Sequence, residues 1–315
     1  MKELRLIDTH CDTAFELYHK NESILQNSCH ISLDEARKYI NYTQFFAIWA
    51  NKHRTDDETY DDFLKISDNL SREITENSDK IKEVTTYDEM TNAWESGKSA
   101  AFLAVEDARI LGGKIERLDV LKSRGVKYMT MMWGGKTCIG SSHDAEGGLT
   151  DFGREVVHRC FEYGIVPDVS HSNEQTTEEI SRIAFEHGKP FIASHSNCYS
   201  LFPHTRNLRD KHIDDIIHLG GIVGISLCPY HIKDMSDGTC TVKDVVAHIE
   251  KYLEFGAENV LGLGCDLDGT DLPQGFSSIS DLSLIAEELA RLNYKDEIID
   301  KIFYRNFYEF IKKNF

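Results

Sequence analysis

The stretch Leu4-Arg5-Leu6-Ile7-Asp8-Thr9-His10-Cys11-Asp12 has the pattern of a short apolar strand that ends in a His-x-Asp pair. Side chains two residues apart on an extended backbone point to the same side, so His10 and Asp12 can reach one cation together. A neutral imidazole and a carboxylate suit a borderline divalent metal such as zinc. Such a pair also occurs in ordinary surface turns, so by itself it is weak evidence for a metal site.

Short apolar segments alternate along the whole chain with longer amphipathic segments, as is typical of repeated βα units. The predicted strands are 4–8, 44–49, 100–105, 127–132, 165–169, 191–194, 222–226 and 260–265. The predicted helices include 57–75, 115–123, 150–163, 174–187, 211–219, 242–255 and 280–292, followed by a helical pair at 295–302 and 305–313.

Eight βα units in about 300 residues predict an α/β fold of the (β/α)8 TIM-barrel type. A doubly wound open sheet is the competing architecture, but no Gly-x-Gly-x-x-Gly follows the first strand. The chain contains only five prolines and no linker-like segment. We therefore expect one catalytic barrel domain over 1–315, with a C-terminal helical extension at about 295–315.

Composition excludes several classes of partner. The 315 residues carry 35 basic and 53 acidic side chains, a formal net charge of −18, which repels nucleic acid and anionic membrane surfaces. Apolar runs such as 45–50 are far too short to cross a bilayer. The first residues enter a strand without the apolar segment of a secretory signal, and the eight cysteines, which form no Cys-x-x-Cys motif, are expected to be reduced. These features predict a cytoplasmic protein.

Ligand-type side chains follow several of the predicted strands. Glu106 follows the third strand, His171 and His195 follow the fifth and sixth, and Asp266 follows the eighth. The carboxyl ends of barrel strands meet at one rim, so three imidazoles and at least three carboxylates are expected to converge there. This set can serve two metals about 3.5 Å apart that share one bridging carboxylate.

Each of these residues also has a simpler interpretation. His171 or His195 taken alone could be a structural histidine, and Asp266 and Asp268 could cap a helix. The recurrence of ligand types at matching strand ends favours the functional interpretation, with Asp266 as a catalytic carboxylate. Other histidines are expected at the surface: His53, His158, His187, His212, His218 and His248.

Arg206 lies in the loop after the sixth predicted strand. Its guanidinium could hold a carboxylate through two parallel hydrogen bonds. The spacing equally allows a surface ion pair with Asp210.

Nine segments resemble, in their order along the chain, the zinc-dependent membrane (renal) dipeptidases and their bacterial relatives, peptidase family M19. Among them are Ile-Asp-Thr-His-Cys-Asp at 7–12, Asp-Val-Ser-His at 168–171 and Gly-Leu-Gly-Cys-Asp-Leu-Asp-Gly at 262–269. The other matching segments are 105–106, 125–130, 148–157, 193–197, 205–210 and 305–307. The resemblance covers nearly the whole chain and implies a metal-dependent hydrolase of dipeptides.

The resemblance also implies the ligands of two zinc ions per chain. His10 and Asp12 would bind one ion, His171 and His195 the other, and Glu106 would bridge both. A homodimer is expected from the analogy and from the general frequency of two-fold dimers.

The implied substrate-binding and catalytic residues include two departures from the family. By analogy Asp266 transfers protons and Arg206 holds the carboxylate of the substrate. Trp133 stands where the animal enzymes carry a histidine that contacts substrate, and His143 could take over that contact. The sequence Glu-Asp-Ala-Arg at 106–109 replaces the common Glu-Gly-Gly, which predicts a differently shaped pocket.

Two other functions remain compatible with the sequence. One is another metal-dependent, amidohydrolase-like barrel that acts on a lactone, a phosphoester or an N-acyl group. The other is a catalytically silent metal-binding barrel. Relatives of the first kind often bridge their metals through a carbamylated lysine, whereas the residue in the bridging position here is Glu106.

Overall fold

The computed structural model describes residues 4–236 and 238–315. Its strands are β1 (Arg5–Cys11), β2 (Ile40–Trp49), β3 (Ile81–Glu83), β4 (Ser99–Glu106), β5 (Val126–Thr130), β6 (Val166–Asp168), β7 (Val223–Ile225) and β8 (Leu261–Leu263). The strand pairs are parallel, in the order β6-β5-β4-β2-β1-β8-β7.

The two ends of this sheet are joined by the segment 192–193. Ile192 forms a parallel bridge to Asp168 at the end of β6, and Ala193 forms one to Val223 at the start of β7. The predicted strand 191–194 therefore closes the ring through single bridges. The eight-position barrel predicted from the sequence is confirmed.

One strand was not predicted. The short strand β3 pairs with the first residues of β4, with Ile81 opposite Ser99, whereas β5 pairs with the last residues of β4, with Glu106 opposite Thr130. Three residues are too few for a periodic pattern, and this strand extends the sheet below the barrel ring rather than adding a ninth position to it.

The helices follow the predicted segments to within a few residues. They are α1 (Thr13–Lys20), α2 (Leu33–Ala36), α3 (Asp56–Glu76), α4 (Tyr87–Glu95), α5 (Arg117–Ser123), α6 (Asp151–Tyr163), α7 (Glu174–His187), α8 (Asp210–Leu219), α9 (Pro229–Ile232), α10 (Val242–Glu254), α11 (Ser283–Arg291), α12 (Asp296–Asp300) and α13 (Asn306–Asn314). Of these, α1, α2, α4 and α9 were not among the helices named from the sequence. Among the described residues no helix is long and apolar enough to span a membrane.

The C-terminal helical segment closes the bottom of the barrel interior. A π-helical turn (Lys301–Arg305) joins α12 to α13, and Phe307, Phe310 and Ile311 of α13 pack against buried strand residues inside the ring. Phe45 and Phe102 stack there with ring centroids 4.7 Å apart. The predicted extension therefore contributes to the core that supports the strands.

Two of the histidines expected at the surface are buried, and that expectation was wrong. His248 is 0% exposed: its Nδ1 accepts from Cys198 N at 3.1 Å and its Nε2 donates to Ile232 O at 2.8 Å. His212 is 1% exposed. Helix periodicity places both histidines on inward faces. Their neighbours in the sequence are polar, which is why they were expected at the surface. The cysteines are mostly buried: seven of the eight are buried and Cys138 is half-buried.

We predict that Gly264→Ala lowers the free energy of unfolding by about 1–3 kcal/mol, the usual range for overpacking. A Cβ at this position, just after β8, would lie 1.7 Å from Ser194 O and 2.7 Å from Thr9 Oγ1. Urea denaturation of the metal-free proteins measures the change. Gly134→Ala, whose Cβ would have no neighbour within 4 Å, is the matched control. Equal stabilities of the two variants would contradict the packing argument.

Candidate metal centre and its cavity

The carboxyl ends of five barrel positions bring together the predicted metal ligands and the predicted proton-transfer carboxylate. Parallel barrel strands end at one rim, so residues far apart in sequence meet there. The cluster consists of His10 from β1, Asp12 directly after β1, Glu106 from β4, His171 after β6, His195 after the segment 192–193, and Asp266 after β8.

Glu106 lies at the centre of this cluster. Its Oε1 is 3.0 Å from His171 Nε2, 3.2 Å from His195 Nε2 and 3.7 Å from His10 Nε2. Two groups of potential ligands, each with atoms within 4.8 Å of one another, share this glutamate: one with His10 and Asp12, the other with His171 and His195. The family resemblance implies the same two groups.

Asp266 belongs to the same cluster on the side of the first group. Its Oδ1 lies 3.8 Å from His10 Nε2, and His10, His195 and Asp266 form a third group of potential ligands. Asp266 therefore lies close enough to exchange a proton with a group bound between the imidazoles.

Hydrogen bonds on the far side of each ring fix the three histidines in one tautomer. The Tyr128 hydroxyl donates to Thr9 O at 2.6 Å and so accepts from His10 Nδ1 at 2.9 Å. His171 Nδ1 lies 3.1 Å from the Trp133 carbonyl, which can only accept. With Nδ1 protonated, the Nε2 lone pairs face the cluster, as metal ligation requires.

His195 is held in the same way through a longer relay. Its Nδ1 lies 2.7 Å from Ser194 Oγ, whose proton goes to Asp168 Oδ2 at 2.5 Å. Asp168 is fully buried and also accepts from Thr130 Oγ1 at 2.6 Å and from Ser194 N at 2.8 Å. The sequence placed Asp168 only in a predicted strand. Its position three residues before His171 was the signal that could have indicated its role beside the cluster.

The donor set fits divalent metal ions. His171 Nε2 and His195 Nε2 are 3.0 Å apart with both lone pairs inward, an arrangement that a cation stabilises. His10 Nε2 and Asp12 Oδ1 are buried and have no hydrogen-bond partner among the described residues. Orphaned buried polar atoms are rare and indicate an absent partner. Imidazole nitrogens with carboxylate oxygens are the ligands that zinc takes.

The pKa values of the clustered side chains are shifted by burial and by their mutual charges. Burial raises the pKa of Asp266 to about 7 despite the nearby His10, and burial also raises the pKa of Glu106 well above its usual range. Burial lowers the pKa of His10, but Glu106 and Asp12 outweigh it and raise that pKa to about 10. For His171 and His195, burial lowers the pKa well below the ordinary value. The carboxylates around His10 thus favour a positive charge at this point of the cluster.

The loop after β8 is held in an uncommon conformation. Asp266 and Asp268 adopt φ of 59° and 70°, a region that non-glycine residues visit rarely. Asp268 does not cap a helix: its carboxylate accepts from Thr13 Oγ1 and from His30 N, each at 2.6 Å. A Cβ on Gly269 would lie 2.2 Å from Asp12 Oδ2 and 2.4 Å from Asp266 Oδ1, so only glycine lets the loop approach the cluster.

The cluster opens into a cavity of about 690 Å³, which borders on Asp12, Glu106, His171 and Asp266. Trp133 and His143, predicted to contact substrate, both line this cavity. His143 Nδ1 lies 3.2 Å from Thr205 Oγ1, and its ring centroid is 6.0 Å from that of His171. Burial, followed by the charge of Arg206, lowers the pKa of His143 to about 4, so this ring is neutral near pH 7.

Arg206 is buried beside the cluster, at 4% exposure, and not in a surface pair with Asp210. Its NH1 donates to Ser196 Oγ and its NH2 to His195 O, both at 3.0 Å, while Nε is buried without a partner among the described residues. It lines a smaller adjoining cavity of about 180 Å³, which shares His143 with the large one.

Comparisons with known proteins agree with this geometry. The model of the membrane dipeptidase family (peptidase family M19) matches residues 1–314. Dipeptidase tcpJ of Claviceps purpurea is 28% identical over 247 residues, which is 77% of this chain but 57% of the fungal protein. An uncharacterized dipeptidase of Schizosaccharomyces pombe, C965.12, is 26% identical over 329 residues, covering 95% of this chain and 78% of the yeast protein.

Solved structures share the fold. A metallopeptidase from Rhodobacter sphaeroides, liganded with a phosphinate mimic of the dipeptide L-Ala-D-Ala, has a TM-score of 0.91 at 21% identity, with 100% of both chains covered. The dipeptidase AC, a metallopeptidase of family M19, also has a TM-score of 0.91 at 21% identity, covering 99% of each chain.

We predict that Tyr128→Phe weakens zinc binding about 10- to 100-fold, the usual effect of removing an outer partner of a ligand. The variant leaves His10 Nδ1 without its acceptor while keeping the ring that fills the barrel. Competition with a chromophoric chelator measures the affinity. Tyr87→Phe, which removes a hydroxyl bonded to Tyr308 outside the cavity, is the control. Unchanged affinity in Tyr128→Phe would show that this hydrogen bond does not set the tautomer.

Proposed function

The chain belongs to the membrane dipeptidase family, peptidase family M19, and from this membership we propose that it is a metal-dependent dipeptidase. The observation that carries the proposal is the ring of three Nε2-facing histidines around Glu106 at the floor of an open cavity. The volume of that cavity, about 690 Å³, is ample for a dipeptide. The dipeptide mimic bound by the Rhodobacter sphaeroides relative is consistent with such a substrate.

We propose zinc as the metal, with two ions per chain. His10 and Asp12 would hold one ion and His171 and His195 the other, with Glu106 shared between them. When bound, a divalent pair supplies polarisation of the peptide carbonyl and a water molecule of lowered pKa, about 7 in zinc enzymes. Mixed imidazole and carboxylate ligands favour zinc over calcium or magnesium, which prefer all-oxygen sites.

Asp266 is the proposed general acid–base. A general acid–base must lie within reach of the reacting group and have a pKa near the working pH. Asp266 lies at the rim of the cluster, lines the cavity and is held by a loop that Thr13 and His30 fix through Asp268. It would accept the proton of the attacking water and pass it to the nitrogen of the leaving amine.

Arg206 is proposed to hold the carboxylate of the substrate's second residue. Its two NH groups are anchored on His195 O and Ser196 Oγ, which places a fixed positive charge directly behind the cluster. Neutral His143 lies between Arg206 and the large cavity and would donate or accept a hydrogen bond there. This pair limits the length of the peptide beyond the cleaved bond.

We further propose that the chain forms one catalytic domain, that it acts in the cytoplasm and that it forms a homodimer. The packing of α13 into the barrel core supports the single domain, and the eight free thiols support a reducing compartment. The dimer rests on analogy, and sedimentation velocity at micromolar concentration would test it.

Removal of metal should abolish dipeptide hydrolysis, and added zinc should restore it. Chelator-treated protein is titrated with zinc while Ala-Ala hydrolysis and bound zinc are both measured. Activity is expected to reach its maximum at two zinc ions per chain. Full activity in metal-free protein would contradict the proposal, and saturation at one ion would contradict the shared Glu106.

Asp266→Asn should retain two zinc ions yet lose about 10²- to 10⁴-fold in kcat, because the amide keeps the shape and removes the acid–base group. Asp271→Asn, an exposed substitution five residues further along the same loop, should leave kcat unchanged. A fully active Asp266→Asn enzyme would remove this residue from the mechanism.

A further inference from the structure

The substrate cavity has two opposite sides that the barrel order defines. Around the ring the positions run β1, β2, β4, β5, β6, segment 192–193, β7 and β8. Arg206 lies in the loop after segment 192–193, and Trp49 ends β2, four positions away on the other side of the ring. A dipeptide whose carboxylate faces Arg206 and whose peptide bond lies over Glu106 therefore extends its first residue towards β1 and β2.

An aromatic surface covers that side of the cavity. We call it the aromatic wall, formed by Phe15, Trp49 and Trp133, which all line the cavity. The rings of Phe15 and Trp49 are 5.3 Å apart, and those of Trp49 and Trp133 are 5.2 Å apart. Such a surface binds the methylene groups of a side chain that lies along it.

The cationic side chain of Lys52 lies at the end of the aromatic wall, at the rim of the cavity. Its Nζ lies 5.2 Å from the centre of the Trp133 ring, and no carboxylate of the described residues lies within ion-pair distance of it. Other charges that line this side already have partners. Arg109 Nε is 3.1 Å from Asp56 Oδ1, and Glu16 Oε2 is 3.1 Å from Lys20 Nζ.

Acidic side chains line the floor of the cavity, whereas Lys52 provides a positive charge at this rim. The carboxylates of Asp12, Glu106 and Asp107 are buried at 6%, 3% and 1% exposure, whereas Lys52 is exposed. The α-ammonium group of a dipeptide is one carbon away from the scissile carbonyl and so lies near these acids. A group several bonds further out along the first side chain reaches Lys52 instead.

We propose that the enzyme prefers dipeptides whose first residue carries an acidic side chain, with glutamate as the best fit. The methylene groups of that side chain lie on the aromatic wall, and its carboxylate pairs with Lys52. This inference rests on the proposed dipeptidase function and adds the class of substrate. Lys52 is a specificity-determining residue here, since it contacts only the substrate's side chain.

The test compares two substrates of equal size, L-Glu-L-Ala and L-Gln-L-Ala, on the zinc-loaded full-length protein. An exposed ion pair predicts a kcat/KM about three- to fivefold higher for the glutamate peptide. Lys52→Met, which keeps a side chain of similar length but removes the charge, should lower the ratio of the two kcat/KM values to about one. Lys52→Arg, which keeps the charge, should leave this ratio above one. Lys52→Glu should bring it below one.

Lys65→Met is the matched control, since it removes one positive charge from an exposed site on α3 away from the cavity. It should leave the ratio unchanged, whereas 0.5 M salt should reduce the ratio in the parent enzyme through screening. The proposal would be overturned if the parent enzyme showed a kcat/KM ratio of one or less, or if Lys52→Met did not change that ratio. In either case, hydrolysis of L-Gln-L-Ala would still support the proposed dipeptidase function. Failure to hydrolyse either peptide or Ala-Ala would instead overturn the proposed function.

Discussion

The arrangement on which the rest of the site depends is the fixed tautomer of three histidines around one buried glutamate. Tyr128, the Trp133 carbonyl and the Ser194–Asp168 relay each bind an Nδ1, so three Nε2 atoms point at Glu106. Without a cation, the lone pairs of His171 Nε2 and His195 Nε2 would face each other at 3.0 Å in a buried space, which is costly. The hydrogen bonds to the three Nδ1 atoms therefore orient the histidines for binding a cation.

The barrel makes this arrangement possible. The ligands come from five positions of the ring, and other strands hold them in place. Asp168 on the neighbouring β6 orients His195 through Ser194, and Tyr128 of β5 bonds across the barrel interior to His10 and to Thr9 O of β1. Close backbone approach at Gly264 lets the chain pass Ser194 without a side chain between them. The functional groups are therefore placed by core packing, while His171, Asp266 and Asp268 adopt uncommon positive φ values of 68°, 59° and 70°.

Much of this architecture was predictable from the sequence because the strands are fully buried. Continuous apolar runs that each end in a ligand-type side chain predicted the barrel and the rim at which the ligand-type side chains converge, whereas the grouping of His10 and Asp12 with Glu106 was implied by the family resemblance. The structure places His171, His195 and Asp266 in the same cluster, while their roles remain proposals.

What the sequence did not reveal depends on long-range contacts. The buried state of His248 follows from packing against Cys198 and Ile232, which no local pattern encodes. Arg206 has its NH groups bound within the protein, a detail that spacing cannot provide. The opposition of Lys52 to Arg206 across the ring also requires the closed barrel, because the two residues are 154 positions apart in the chain.

The most direct test of the account is anomalous diffraction from crystals of the zinc-loaded protein, recorded above and below the zinc absorption edge. The account predicts two peaks per chain, both within about 2.0–2.3 Å of a Glu106 oxygen, with nitrogen ligands at about 2.0–2.1 Å. One peak should lie beside His10 and Asp12 and the other beside His171 and His195. A single peak, or a second peak that does not contact Glu106, would contradict the shared two-metal centre.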